Sequence, residues 1–482
     1  MKSYPKIAIV LAVCISMIMS LAACAGGNGD AQPIDTPADQ PAVEDTAPPE
    51  TAPEVPEPED QPEPDTDRVQ ITYAVWGNEA EAVAVRSAIE EFNAYQDRIE
   101  VSLMLLPWET YVENLNTMAM AGNLPDTAIM DESAVLQWAS QGMLLDISGM
   151  YGPGEPSPMD SLAFTYMGDV VAYSVANVFL VMYYNKDMFD AAGLDYPPSN
   201  PDEAWNWDEF VEAARQLTLD SNGNTPNDPD FDSNNIVQFG AMVENLTWQL
   251  EVWALSNGSG FFNEDGTEVI IDEPGAIEAI QRVADLHLVH NVAPLSSGLT
   301  DDGVQRSIVA GTVAMTTNGT WNIGTALSDA RDEGLNYGLA VLPYMEELIT
   351  INTGGPNVVF NQTNHPEEAM EWLRWYGSPE NAWNLIEAGI WNPTLDSYFT
   401  DETLMMEWLT NEAYPPLEES RPVLVDFFAN HSRPASWYYT NNTVDFIQLL
   451  GDILGDVWIG RATAEEVITQ NIDALRNAHE GW

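Results

Sequence analysis

NVFLVMYYNKDMFDAAGL, residues 177–194, is the stretch on which the fold reading turns. It opens with Val178-Phe179-Leu180-Val181-Met182, an uncharged apolar run that predicts a strand buried on both faces. Polarity returns at Tyr183-Tyr184-Asn185-Lys186-Asp187. Asp187 is placed to cap a short helix over 188–192 that stops at Gly193. A buried strand opening into a short helix near the middle of a long chain predicts a crossing between two lobes.

The 482 residues exceed what one hydrophobic core usually supports, which also argues for two lobes. Charge is far from balanced, with 15 basic and 76 acidic residues and a formal net charge of −61. Such a field repels nucleic acid and other polyanions and tolerates neutral ligands. Sixteen Trp residues are more than a core of this size needs, and an indole plane packs well on the apolar face of a sugar ring.

Residues 1–23 read as a signal peptide, with Lys2 and Lys6 ahead of an apolar run over 7–19 that is too short for a membrane span. Leu21-Ala22-Ala23-Cys24 follows. Of the two cysteines, Cys14 would leave with the signal, so Cys24 becomes the sole thiol and the first residue of the processed chain. That predicts lipidation at Cys24, no disulfide and no cysteine-based metal site; an ordinary secretory cleavage is the alternative. Residues 24–67, rich in Pro, Asp, Glu, Thr and Ala, lack the apolar surface to fold and are expected to be a disordered acidic tether.

From Val69 onward, strand patterns alternate with helical ones. Strands are expected over 69–75, 99–105 and 125–130, separated by helices with Val85, Ala88, Ile89 and Phe92 on one and Tyr111 to Ala121 on the other. That alternation predicts a parallel α/β sheet, and ligands sit at the carboxyl ends of such strands. Trp76, Trp108, Asp131 and Glu132 all lie there. Asn206 with Glu209 three residues later predicts a capped helix, as does Thr463 with Glu466. Residues 241–290 read as helical with an interruption near 257–266, a helix is expected from Ser378-Pro379, and 351–360, around Gly354-Gly355, read as a return crossing.

Several segments resemble extracellular solute-binding proteins, the sugar-binding subunits of ABC importers: the strand-YNKD-helix unit at 178–194, PDTAIMDESAVLQWASQGMLLDI, WNWDEFVEAARQLT, IVAGTVAMTTNGTWNIG, GSPENAWNLIEAGIWNPT and GDILGDVWIGRATAEEVITQNID. With Leu21-Ala22-Ala23-Cys24, which resembles a bacterial lipobox, the likeness runs from Val69 to the C-terminus. It implies a two-lobed α/β fold with a hinge and an interlobe cleft. The lobes would be 68–177 plus 352–398 and 178–351 plus 399–482. It further implies a monomeric lipoprotein receptor on the outer face of the cytoplasmic membrane, in a Gram-positive cell. That receptor would capture a sugar or oligosaccharide by hinge closure and pass it to an ABC permease, with no cofactor and no catalysis. A secreted glycan-acting hydrolase or a surface adhesin is the alternative. No Ser-His-Asp arrangement, H-E-x-x-H or phosphate loop is present, and His numbers five.

Trp321 matches the aromatic position that stacks on ligand in sugar-binding relatives; a core Trp is the alternative. Trp76 and Trp108 divide between cleft and packing. Asp131 and Glu132 could accept bonds from sugar hydroxyls, although Asp131 suits a helix N-cap equally. Trp391 and Trp437 lie in segments that reach the cleft in relatives. Asp220, Asn222, Asn224 and Asp228 are spaced like the start of a calcium loop. Gly223 stands in the wrong place and no Glu fills the twelfth position, so a self-bonded Asx-turn loop is the competing reading.

Overall fold

Why the chain builds two sheets is visible in the side chains of its strands. In the computed structural model, Ile71, Tyr73 and Val75 of the first strand bury into one cluster with Phe92, Trp372 and Tyr376, while Ala74 between them faces Tyr111 and Leu115. Period-two alternation with both faces apolar requires helices on both sides. The structure describes residues 68–77, 82–295 and 304–479, all in one compact unit, Pro64–Trp482. The expected signal peptide, Cys24 and the expected acidic tether lie outside the described residues.

Thirteen strands are described: β1 Val69–Trp76, β2 Ile99–Leu106, β3 Thr127–Ile129, β4 Ala163–Tyr166, β5 Asp169–Ser174, β6 Val178–Asn185, β7 Leu219–Asp220, β8 Ile236–Val243, β9 Val313–Gly319, β10 Tyr337–Ala340, β11 Thr350–Thr353, β12 Pro356–Val359 and β13 Ser432–Pro434. The first sheet runs β2-β1-β3-β12-β5-β4. The second runs β13-β11-β6-β9-β8-β7, with β10 also on β6. The parallel expectation holds for β1, β2 and β3, while β12 is antiparallel to both β3 and β5. All eight residues of β6 are buried, as its uncharged composition predicts.

The chain passes between the sheets at 175–177, linking β5 to β6, and at Gly354-Gly355, linking β11 to β12. Residues 390–394 form a third run alongside. Asn177 pairs with Asn392, its amide donating to the Asn392 carbonyl at 3.2 Å. The first two crossings touch. A Cβ on Gly354 would lie 1.8 Å from the Ala176 carbonyl oxygen, a separation no side chain tolerates.

Local signals fared well where the cause was local. Asn206 and Glu209 form a reciprocal capping box, and Thr463 and Glu466 do the same at 3.2 and 3.0 Å. Three expectations are corrected. Helix Lys186–Ala192 is capped by Asn185 instead of Asp187, because β6 extends through Asn185 and its side chain then accepts the Met188 amide. Residues 241–243, read as helical, end strand β8, because their apolar run pairs with β9. The helix expected from Ser378-Pro379 begins only at Trp383, after a turn.

Candidate functional site

Strand direction fixes where the candidate residues emerge. β3 pairs with the start of β12 through Ile129 and Asn357, so the carboxyl end of β3, and of the parallel strands β1 and β2, faces the crossings. Trp76 ends β1, Trp108 follows β2, and Asp131 and Glu132 follow β3. In the second sheet Val178 and Leu180, at the crossing end of β6, pair with Thr353 and Gly319. Trp321 follows β9 there. Trp248 follows β8 at the same end, and Trp437 follows β13. Seven aromatic or acidic residues from six strands are thus directed at one line of crossings.

Trp76 packs edge-on against Trp108 at 5.2 Å and Tyr111 at 5.5 Å, and its ring reaches to 3.7 Å from where a Cβ on Gly355 would stand. Trp108 is 53% exposed, far more than a core indole. Across the crossings Trp248 contacts both Trp321, at 6.3 Å, and Trp437, at 5.5 Å. Trp321 is half-buried, with its ring folded over Gly319, where a Cβ would collide with it. Trp391 belongs to the run 390–394 alongside the crossings and packs on Tyr376 at 5.5 Å.

The two carboxylates divide in role. Asp131 caps helix Glu132–Ser140 by accepting the Ser133 amide at 2.9 Å and also the Ser133 hydroxyl. Burial pushes its carboxyl up, and those two bonds oppose the shift. Glu132 accepts the Thr353 hydroxyl at 2.9 Å. Burial, followed by the charge of Asp131, raises its carboxyl to about 7, against bonds from its own amide, Thr353 and Gly354. Its acceptor capacity is therefore directed at the second crossing.

Tyr438 was not legible in the sequence. It follows β13 of the second sheet, yet its ring stacks on Phe164 of β4 at 4.2 Å and its hydroxyl meets Ser174 of β5 at 3.0 Å. Asn177 is also new: its side-chain amide is fully buried at the first crossing with neither end hydrogen-bonded. Trp437, 5% exposed, has a buried indole N–H with no acceptor. Each such group carries a desolvation penalty of about 1–3 kcal/mol unless water or a ligand meets it.

The loop 220–232 is not part of this arrangement, because it joins the opposite ends of β7 and β8. Asp220 accepts the amides of Asn222, Asn224 and Asp232 and the Asn224 side chain at 2.8–3.1 Å. Asp228 accepts Thr225 through its amide and hydroxyl. Among the described residues no three His, Cys, Asp or Glu side chains converge as a metal set.

Two α/β lobes joined by two adjacent crossings, with aromatic residues gathered on both sides, define a two-lobed periplasmic-binding-type fold. Residues 76–383 match the bacterial extracellular solute-binding protein family, and the chain belongs to that family. It is 30% identical over 207 residues to the arabinooligosaccharide-binding protein of Halalkalibacterium halodurans, 42% of each chain. It is 29% identical over 173 residues to an sn-glycerol-3-phosphate-binding periplasmic protein of Agrobacterium fabrum, 34% of each. The chain thus spans less than half the length of these curated relatives. Among solved structures, an ABC substrate-binding protein of Listeria monocytogenes in complex with cycloalternan superposes with a TM-score of 0.70 at 20% identity, covering 85% of this chain and 99% of the other. Maltose-bound MalE3 of T. maritima gives 0.68 at 21%, with 85% and 99% covered. These likenesses concern the fold. No helix among the described residues is long and apolar enough to cross a membrane.

Proposed function

We propose that this protein is an extracellular receptor of an ABC importer that takes a neutral sugar or oligosaccharide between its lobes and passes it to the permease by hinge closure. The observation that carries the reading is the placement of two aromatic clusters, Trp76 with Trp108 and Trp248 with Trp321 and Trp437, each at the crossing end of its own sheet. Indole faces bind sugar rings through apolar contact while hydroxyl and amide groups orient them. Asn177, Thr353, Ser174 and the Trp437 N–H supply the second kind of group, and none of these residues is cationic. A phosphate-bearing ligand such as that of the glycerol-3-phosphate relatives would call for a cation.

In this reading the ligand contacts are Trp76, Trp108, Asp131, Trp321, Trp391 and Trp437, with Glu132 acting on the crossing. The protein binds without catalysis: Glu132 and Glu251, two carboxyls that burial raises to about 7, are each engaged by a hydroxyl of the chain. No cofactor enters, and the loop 220–232 serves as a self-bonded turn. The lobes are assigned as 68–177 with 352–398 and 178–351 with 399–482. Cys24 carries the lipid that holds this monomer at the cell surface, and Cys24→Ala is expected to move the protein from the membrane fraction into the medium.

The binding test is a thermal-shift panel of neutral oligosaccharides, including arabinotriose, maltotriose and mannotriose, beside glycerol 3-phosphate. A rise with a neutral oligosaccharide and none with the phosphate supports the reading, since only a ligand of the folded state raises the melting temperature. A rise with the phosphate alone overturns it.

A further inference from the structure

The segment that presents Trp437 is held from behind by a buried acid. Ser436, first residue of the turn Ser436–Tyr438, donates its amide at 3.2 Å and its hydroxyl at 3.0 Å to one oxygen, Oε2 of Glu251. Glu251 lies in the first turn of helix Leu250–Ser256, three residues after Trp248, whose ring meets Trp437. The start of this helix and the residue two positions before it therefore grip the turn twice, by the Glu251 carboxyl and by the Trp248 indole on the indole the turn carries. Both ends of the carboxyl grip are sealed: Glu251 is 2% exposed and Ser436 1%.

We propose that Glu251 is a positioning residue, which fixes Trp437 for the ligand and makes ligand affinity fall as the medium turns from mildly acidic to mildly alkaline. The proposal rests on the reading of Trp437 as a ligand contact. The buried indole N–H without an acceptor supports that contact, since it is a donor fixed in place for an oxygen the chain does not supply.

The pH dependence follows from what surrounds the carboxyl. Among the described residues no Lys or Arg pairs with Glu251. Burial raises it to about 7, against the two bonds from Ser436. Tyr439, at the exit of the turn, is raised first by burial and then by the charge of Glu251, and it feels Arg433 of β13, which pairs with Glu347 at 2.9 Å. Across the turn stand Tyr438 and, beyond it, Glu132. Helix Pro274–Leu288, packed on the helix of Glu251, pairs its Arg282 with Glu278 and its Asp285 with Gln281. Among the described residues no cation is therefore set against the charge that forms when Glu251 loses its proton. A buried, uncompensated carboxylate favours any arrangement that admits water, and the arrangement available is a turn lifted from the helix, with Trp437 displaced.

Two measurements on the purified protein test this. In the first, calorimetric affinity for arabinotriose, maltotriose and mannotriose is followed from pH 6 to pH 8. The expected change is a weakening of up to about tenfold, the limit one linked proton gives over a pH unit beyond its midpoint. Glu251→Gln keeps an oxygen for Ser436 without the charge, so its affinity should stay near the wild-type value at pH 6 across the range. A variant profile that titrates like the wild type overturns the proposal. Trp437→Phe keeps an aromatic ring, smaller than the indole, and removes the N–H. If the wild type binds and Trp437→Phe binds equally well, the contact reading fails and the proposal falls with it.

The second measurement needs no ligand. Amide exchange of the segment 432–440, corrected for the chemical rate, should show protection falling from pH 6 to pH 8 in the wild type and constant in Glu251→Gln. Constant protection in the wild type overturns the proposal even if no trisaccharide binds, while pH-dependent protection without sugar binding would separate a correct positioning role from a wrong ligand class.

Discussion

The Glu132 carboxylate accepts the hydroxyl hydrogen of Thr353 at 2.9 Å, tying the first residue of helix Glu132–Ser140 to the strand end that leads into Gly354-Gly355. A helix of the first sheet's side thereby holds the second crossing, about which the proposed closure would turn. Raising the Glu132 carboxyl from its ordinary value of 4.5 to about 7 means that the folded protein retains a proton the unfolded chain releases. Its stabilising contribution is complete below pH 4.5 and is lost as pH rises through about 7. The melting temperature should therefore fall between pH 5 and pH 8. Glu132→Gln should flatten that fall, by a difference of about 1–3 kcal/mol across the range. An identical slope in the variant would remove Glu132 from the account.

Tyr438 makes the converse bond, from the second sheet to the first. Tyr438→Phe keeps the stack on Phe164 and deletes the hydroxyl that meets Ser174 at 3.0 Å. One hydrogen bond between lobes contributes about 1 kcal/mol, enough to shift an open–closed equilibrium several-fold. Small-angle scattering of the ligand-free variant should show a larger radius of gyration than the wild type. An unchanged radius would mean that this bond does not bias the hinge.

Gly354→Ala tests how closely the crossings approach. The added Cβ would stand 1.8 Å from the Ala176 oxygen, so the two strands must part. Overpacking of this kind destabilises by about 1–3 kcal/mol, and unfolding in urea should show it. A variant as stable as the wild type would imply crossings that already separate freely.

Asp220 decides the question of calcium. Burial would raise its carboxyl, but the Asp232 amide and three donors from Asn222 and Asn224 outweigh burial and hold it well below the ordinary carboxylate range. Its stabilising effect is present above its unfolded value and is lost only as pH falls into strongly acidic solution. With both oxygens already accepting N–H groups, calcium or a chelator should leave the melting temperature unchanged, whereas Asp220→Ala should increase proteolytic nicking of 220–232. A rise in melting temperature with calcium would restore the metal reading.

How much of this was legible in the sequence follows from the distance over which each cause acts. Asn206 with Glu209, Thr463 with Glu466 and the apolar run of β6 act within a few residues, and each was read correctly. Asn185 was missed as a cap because its position depends on how far β6 extends, which β9 and β10 decide. Trp76, Trp108, Asp131 and Glu132 were readable as residues at strand ends, and Trp321 through the resemblance of its segment to sugar-binding relatives. The use of Glu132 was not, since its partner lies 221 residues away. Trp248 was hidden because 241–290, which include the end of β8, read as helical when the pairing of β8 with β9 is unknown. Glu251 was hidden because Ser436 lies 185 residues further on.

Trp321 bears on the central reading. It follows Gly319 at the crossing end of β9, half-buried, with one side against Trp248 and its ring over the glycine. A stacking indole contributes a large contact at little rotamer entropy, so Trp321→Ala should weaken sugar binding by about 2 kcal/mol, about thirtyfold. A core indole behaves otherwise, with loss of about 3–5 kcal/mol of stability whether or not ligand is present. Trp321 differs from such residues as Trp372, which is fully buried. The expected pair of results is lost calorimetric affinity with a ligand-free melting temperature close to wild type. Intact affinity with a lowered melting temperature would make Trp321 a support for Trp248 and leave the contact on that side of the crossings to Trp437.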